Sequence, residues 1–93
     1  MGFRGQYKNK RDANEPDIVS TLRAHGFSVE HLDKPVDLVC GYGGKDYLIE
    51  VKAPSGTLTG PQEIFFDSWR GSKTILRSVQ DAEEWARNIR GSK

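Results

Sequence analysis

The sequence predicts an α/β (α+β) domain, a mixed β-sheet flanked by helices in the order α-β-β-β-α-β-α. Three observations predict it. Apolar residues recur at helical spacing in three segments, strand-like runs lie between them, and glycine, proline and capping residues mark most of the boundaries. A chain of 93 residues has room for one such unit. A sheet that must bury one face against helices is the natural packing for that order.

The first helix is predicted to start around Asp12 to Glu15, where Asp-x-x-Glu reads as a capping box and Pro16 is tolerated in the first turn. Ile18, Val19 and Leu22 form its apolar stripe, and Gly26 stops it. Phe27–Leu32 and Pro35–Tyr42 have strand character. Gly43-Gly44 then separates the second run from Lys45–Lys52, and two glycines are what a tight primed hairpin turn requires. Thr59-Gly-Pro-Gln62 supplies an N-cap and an early proline for a second helix running to Arg70 and ending at Gly71. Lys73–Val79 is another strand. Ser78-x-x-Asp81 opens a third helix with Ala82, Trp85, Ala86 and Ile89 on one stripe.

Composition narrows the setting. Hydrophobic residues are 35% and charged residues 29%, with a mean hydropathy of −0.66. The apolar stretches are too short for a membrane span or a signal-peptide core. Cys40 is the single cysteine, which excludes an internal disulfide framework and a cysteine-based zinc site and predicts a cytoplasmic, reducing location. The net charge of +1 hides an asymmetry: residues 1–11 carry Arg4, Lys8, Lys10 and Arg11, no acid, and the aromatics Phe3 and Tyr7. They read as a flexible basic arm ahead of a single domain over 12–93. Such an arm suits nucleic acid, and a solubilising tail explains the arm alone equally well.

The hairpin permits a geometric argument. With Gly43 and Gly44 as the turn, Tyr42 lies opposite Lys45 and Asp37 opposite Glu50. Alternation then puts Asp37, Val39, Leu48, Glu50 and Lys52 on one face. Val36, Leu38, Cys40, Tyr47, Ile49 and Val51 share the other, which must be buried; a one-residue slip would exchange the faces. Two cross-strand carboxylates repel, and a divalent cation between them relieves that. Mg²⁺ takes hard oxygen ligands, so one or two carboxylates plus a substrate phosphate suffice. Lys52 projects from the same face and can position water or neutralise a phosphoryl group. A solvated Glu–Lys face is the plainer alternative.

Two further residues add weight. Glu15 lies on the core-facing stripe with Ile18, Val19 and Leu22, where an acid needs a partner; a helix N-terminal acid favoured by the macrodipole is the alternative. Gln62 shares a face with Phe65, Phe66 and Trp69, and can also serve as the capping-box partner of Thr59. Gly41-Tyr-Gly-Gly44 is a turn, since it lacks the Lys-Ser/Thr and helix of a phosphate loop. His25 is expected to meet the carboxyl end of its own helix, Cys40 to be a small core residue, and His31 has no assigned place. No serine or cysteine has a placed histidine partner for a nucleophilic triad.

The set Glu15, Asp37 and Glu50-Val51-Lys52 on α-β-β-β-α-β resembles the PD-(D/E)XK nuclease superfamily. The stretch from Asp37 through Glu50-Val-Lys52, Leu58-Thr-Gly-Pro-Gln62, Trp69 and Thr74–Val79 is similar to its VRR-NUC family, many of whose small members are phage-encoded. Glu15 with Val19, Leu22 and Gly26-Phe27 resembles the first helix of archaeal-type Holliday junction resolvases. The likeness spans roughly residues 12–86, with one departure: Val36 separates Pro35 from Asp37. It implies a restriction-endonuclease-like core and a metal-dependent DNA phosphodiesterase, selective for structure and resolving four-way junctions. A less selective nicking or flap nuclease, or a DNA-binding module without catalysis, is the alternative. Glu15, Asp37 and Glu50 would coordinate Mg²⁺ or Mn²⁺, joined by the Val51 carbonyl. Lys52 would orient the water, Gln62 would support the site, and Arg4, Lys8, Lys10 and Arg11 would bind DNA. The expected partners are branched DNA and a second copy in a homodimer, with no membrane and no organic cofactor. A phage-encoded chain would work in the host-cell cytoplasm.

Overall fold

A computed structural model describes residues 11–91. The elements are α1 (Glu15–Ala24), β1 (Ser28–His31), β2 (Leu38–Tyr42), β3 (Lys45–Val51), α2 (Gly60–Ser68), β4 (Lys73–Leu76) and α3 (Val79–Gly91). The fold is α+β in the expected order. One four-stranded sheet runs β1-β2-β3-β4, antiparallel across the first two pairs and parallel between β3 and β4. The parallel pair needs a crossover, and the segment containing α2 supplies it. No helix among the described residues is long and apolar enough to cross a membrane.

The hairpin adopts the register read from its glycines: Tyr42 pairs with Lys45 and Leu38 with Ile49. Gly43 and Gly44 have φ of 62° and 81°, the sign that a type I′ turn demands at both central positions. The apolar face is buried as alternation requires, with Val36, Leu38, Cys40, Ile49 and Val51 all at or below 3% exposure. Helices α1 and α3 pack on each other, α1 also against β1 and α3 against β4. Ile18, Val19, Leu22, Ala82 and Ala86 meet the buried strand residues in one core. Each fully buried Leu or Ile contributes about 1.5–3 kcal/mol. Trp85 closes the core's edge, 5.4 Å from both the Phe27 and Tyr47 rings.

Several boundaries differ from the sequence expectation. Helix α1 is capped by Asn14, and no side-chain hydrogen bond closes its amino end. The predicted Asp12–Glu15 box does not form, because Glu15 turns inward and Asp12 receives the Glu15 N–H on its main-chain oxygen (3.0 Å). Strand β2 begins at Leu38 rather than Pro35, although the Leu32 N–H still bonds to the Asp37 carbonyl (2.7 Å) in register with the β1–β2 ladder. Strand β1 is two residues shorter than predicted, and β4 ends at Leu76, where Arg77 N–H turns to Asp81 Oδ2 (3.0 Å). Helix α2 stops at Ser68, not Arg70: Trp69 is extended and stacks its indole on Phe65 (centroids 5.4 Å apart).

The helix ends otherwise follow the sequence. Thr59 and Gln62 form a reciprocal capping box, and Ser78 Oγ accepts the Asp81 N–H (3.0 Å). The His25 ring does not stay with its own helix. Its Nδ1 accepts from Arg90 Nη1 (2.8 Å), which leaves Nε2 to donate to Glu83 Oε1 (2.8 Å), since an arginine can only donate. His25 therefore ties α1 to α3.

Candidate active site

Three buried acids sit at or beside element ends. Glu15 is the first residue of α1, Asp37 directly precedes β2, and Glu50 is the last but one residue of β3. Among the described residues the buried polar or charged side chains are these three, at 2%, 7% and 3% exposure. Taking a carboxylate out of water is expensive unless it is paired or hydrogen-bonded, so the contacts around each one matter.

They form a continuous chain. Arg11 Nη1 lies 2.6 Å from Glu15 Oε2 and 3.8 Å from Asp37 Oδ1. Asp37 Oδ2 accepts the backbone N–H of Val51 (2.9 Å), which ties it to the strand that carries Glu50. Glu50 Oε2 accepts from Gln62 Nε2 (2.8 Å) and faces Lys52 Nζ at 3.7 Å. Gln62 holds both roles read from the sequence, since its Oε1 accepts the Thr59 N–H (2.9 Å). Val51 joins through its N–H while its side chain points into the core.

His31 Nε2 stands 3.5 Å from Glu15 Oε2. Its pKa is held below the ordinary histidine value, first by partial burial and then by the nearby Arg11 and Arg23. Two open clefts adjoin the acids. One of about 530 Å³ has Arg11, Glu15, Arg23 and His31 in its wall. The other, about 440 Å³, is lined by Lys34, Glu50, Gln62 and Phe65 among others. An anionic ligand would find cations in the walls of both.

Three carboxylates are the hard oxygen donors that Mg²⁺ and Mn²⁺ prefer, and a cation, the Arg11 guanidinium, already stands against two of them. The donor chemistry therefore fits a divalent ion. Among the described residues, however, no group of three or more His, Cys, Asp or Glu side chains is placed to hold a metal ion.

The chain matches no family model, no curated protein and no solved structure. The geometry of the site therefore has to carry the functional reading.

Arg11 links Glu15 to Asp37, Glu50 meets Lys52 and Gln62, and the hydrogen bond from Val51 N–H to Asp37 joins the two sets. Arg4, Lys8 and Lys10 lie outside the described residues. Arg11, read as the last residue of the arm, is turned inward onto the acids and the Leu32 carbonyl (2.8 Å). Two other contributors were not singled out in the sequence. Asn14 Nδ2 donates to the carbonyls of Lys52 (3.2 Å) and Arg77 (2.8 Å), lashing the start of α1 to the ends of β3 and β4. Arg77 donates to the carbonyls of Ala53 and Gly56 and pins the loop after Lys52. Asn14 carried a usable signal, being a strong N-cap type beside Glu15; the contacts of Arg77 are long-range and leave no local trace.

Proposed function

We propose that the chain is a Mg²⁺- or Mn²⁺-dependent endonuclease hydrolysing phosphodiester bonds in branched DNA, four-way junctions above all, of the PD-(D/E)XK type that its motifs resemble. The observation that carries the reading is the burial of three acids, Glu15, Asp37 and Glu50, the last against Lys52 and Gln62. A small fold gains little stability from three buried carboxylates, and a site for a cation and a phosphate gives them a use. In this reading Glu15, Asp37 and Glu50 hold the ion, with the Val51 carbonyl as a further ligand. The ion supplies Lewis acidity and a more acidic bound water. Lys52 orients the attacking water and offsets charge on the phosphoryl group. Gln62 fixes the Glu50 carboxylate and reaches the scissile phosphate. The cations Arg4, Lys8 and Lys10 bind flanking phosphates. A homodimer would set two such sites about a two-fold axis, matching two opposed strands of a junction.

The test is cleavage of a four-way junction beside a flap and a linear duplex, with Mg²⁺ or Mn²⁺. Asp37→Asn and Lys52→Ala are each expected to lower the cleavage rate about 10²-fold or more, with circular dichroism unchanged. Undiminished cleavage by both variants rejects the site. Equal cutting of all three substrates replaces junction selectivity with a general nicking or flap activity.

A second reading is favoured by the Arg11 contacts with Glu15 and Asp37: a DNA-binding module in which the carboxylates organise the fold. It predicts salt-sensitive DNA binding and no strand cleavage under any divalent ion.

A further inference from the structure

Arg11 makes three contacts at the acid cluster. Nη1 is 2.6 Å from Glu15 Oε2 and 3.8 Å from Asp37 Oδ1, and Nη2 donates to the Leu32 carbonyl at 2.8 Å. The side chain is three-quarters covered, at 25% exposure. The fork therefore joins the start of α1 to the segment between β1 and β2. A guanidinium stays charged under all working conditions and presents several donors in a fixed plane. In charge it does for Glu15 and Asp37 what a metal ion would do, but it cannot act as a Lewis acid.

The two cations exclude each other. Mg²⁺ binds carboxylate oxygens at about 2.0–2.1 Å, so an ion ligated by Glu15 Oε2 and Asp37 Oδ1 would lie within a few ångströms of a positive group that contacts the same atoms. Repulsion at that range in a shielded site is strong.

We propose that Arg11 is a resident counter-ion of the acid cluster. It holds Glu15 and Asp37 in place when no metal is bound and withdraws when a divalent ion binds, so that the two compete for the same oxygens. The inference rests on reading Glu15 and Asp37 as metal ligands. Competition is reciprocal: docked Arg11 weakens metal binding by the same factor by which metal weakens Arg11 docking. Arg11 is a positioning residue in this scheme, since it acts through the carboxylates.

The test uses the full chain without DNA. Calorimetric titration with Mn²⁺ is expected to show Arg11→Gln binding about tenfold more tightly than wild type, with Arg11→Lys between the two because it keeps the charge but not the fork. In EDTA, Arg11→Gln is expected to melt below wild type, and the gap should close as Mn²⁺ is raised. In wild-type protein the Arg11 Nε–Hε resonance should move during a Mg²⁺ titration with the midpoint of binding, a readout that stands even if the glutamine variant fails to fold. Equal or weaker Mn²⁺ binding by folded Arg11→Gln, or an Arg11 resonance unmoved at saturating Mg²⁺, overturns the inference and leaves the metal site standing. Absence of Mn²⁺ and Mg²⁺ binding to wild type and variant alike overturns the metal-site reading, and the inference with it.

Discussion

Glu83 is held below the ordinary glutamate range, first by its hydrogen bond from His25, with burial opposing the shift and the charge of Arg87 adding to it. The unfolded chain binds the proton more readily than the folded one in that window, so the contribution of Glu83 is present above its usual value near 4.5 and is lost as pH falls through the lowered one. The melting-temperature gap between wild type and Glu83→Gln is therefore expected to shrink as the buffer is taken from about pH 6 to about pH 3. Cys40 shows the opposite direction: burial pushes its thiol up to about 12, in keeping with a small core side chain read from alternation. Site residues were legible to different degrees. Glu15, Glu50 and Gln62 lie on elements whose periodicity fixes which way they face, and Asp37 and Lys52 directly flank β2 and β3. Arg11 precedes the first helix, and nothing periodic indicates where its long side chain turns.

At the scale of elements, the end of α1 is the most local feature. Phe27 N–H bonds to Leu22 O (3.1 Å) and Gly26 N–H to Arg23 O (2.9 Å), with Gly26 at φ 91°. This is a Schellman closure, with Phe27 and Leu22 both buried behind it. A Cβ on Gly26 would meet nothing nearer than Tyr42 Cε1 at 3.9 Å, so Gly26→Ala is expected to cost the backbone conformation alone, about 1–2 kcal/mol. A lower urea midpoint with an unchanged m-value would show it. The hairpin register and the α2 capping box were likewise legible, because adjacent residues settle both. Strand ends were not: β2 stops short of Asp37, whose side chain accepts the Val51 N–H, a partner set by the neighbouring strand.

For the whole molecule, the two helices on the apolar sheet face leave α2 apart. None of its residues is buried, Ile64 is 69% exposed, and Trp69 just beyond it is 42% exposed. This is the surface on which the proposed homodimer depends. Light scattering is expected to give a dimer mass for wild type and a monomer mass for Ile64→Asp, with helix content retained. A monomeric wild type at working concentration removes the two-fold arrangement and leaves each acid cluster as it is.

By itself the sequence determined the element order, the hairpin register and the buried face. Those follow from periodicity, turn chemistry and capping, which act over a few residues. Only the tertiary structure decided that Arg11 folds back onto Glu15 and Asp37, that Asn14 and Arg77 clamp the ends of the strands, and that His25 bridges two helices. Each of these depends on a flexible polar side chain finding an acceptor that the packing of distant elements has brought within reach.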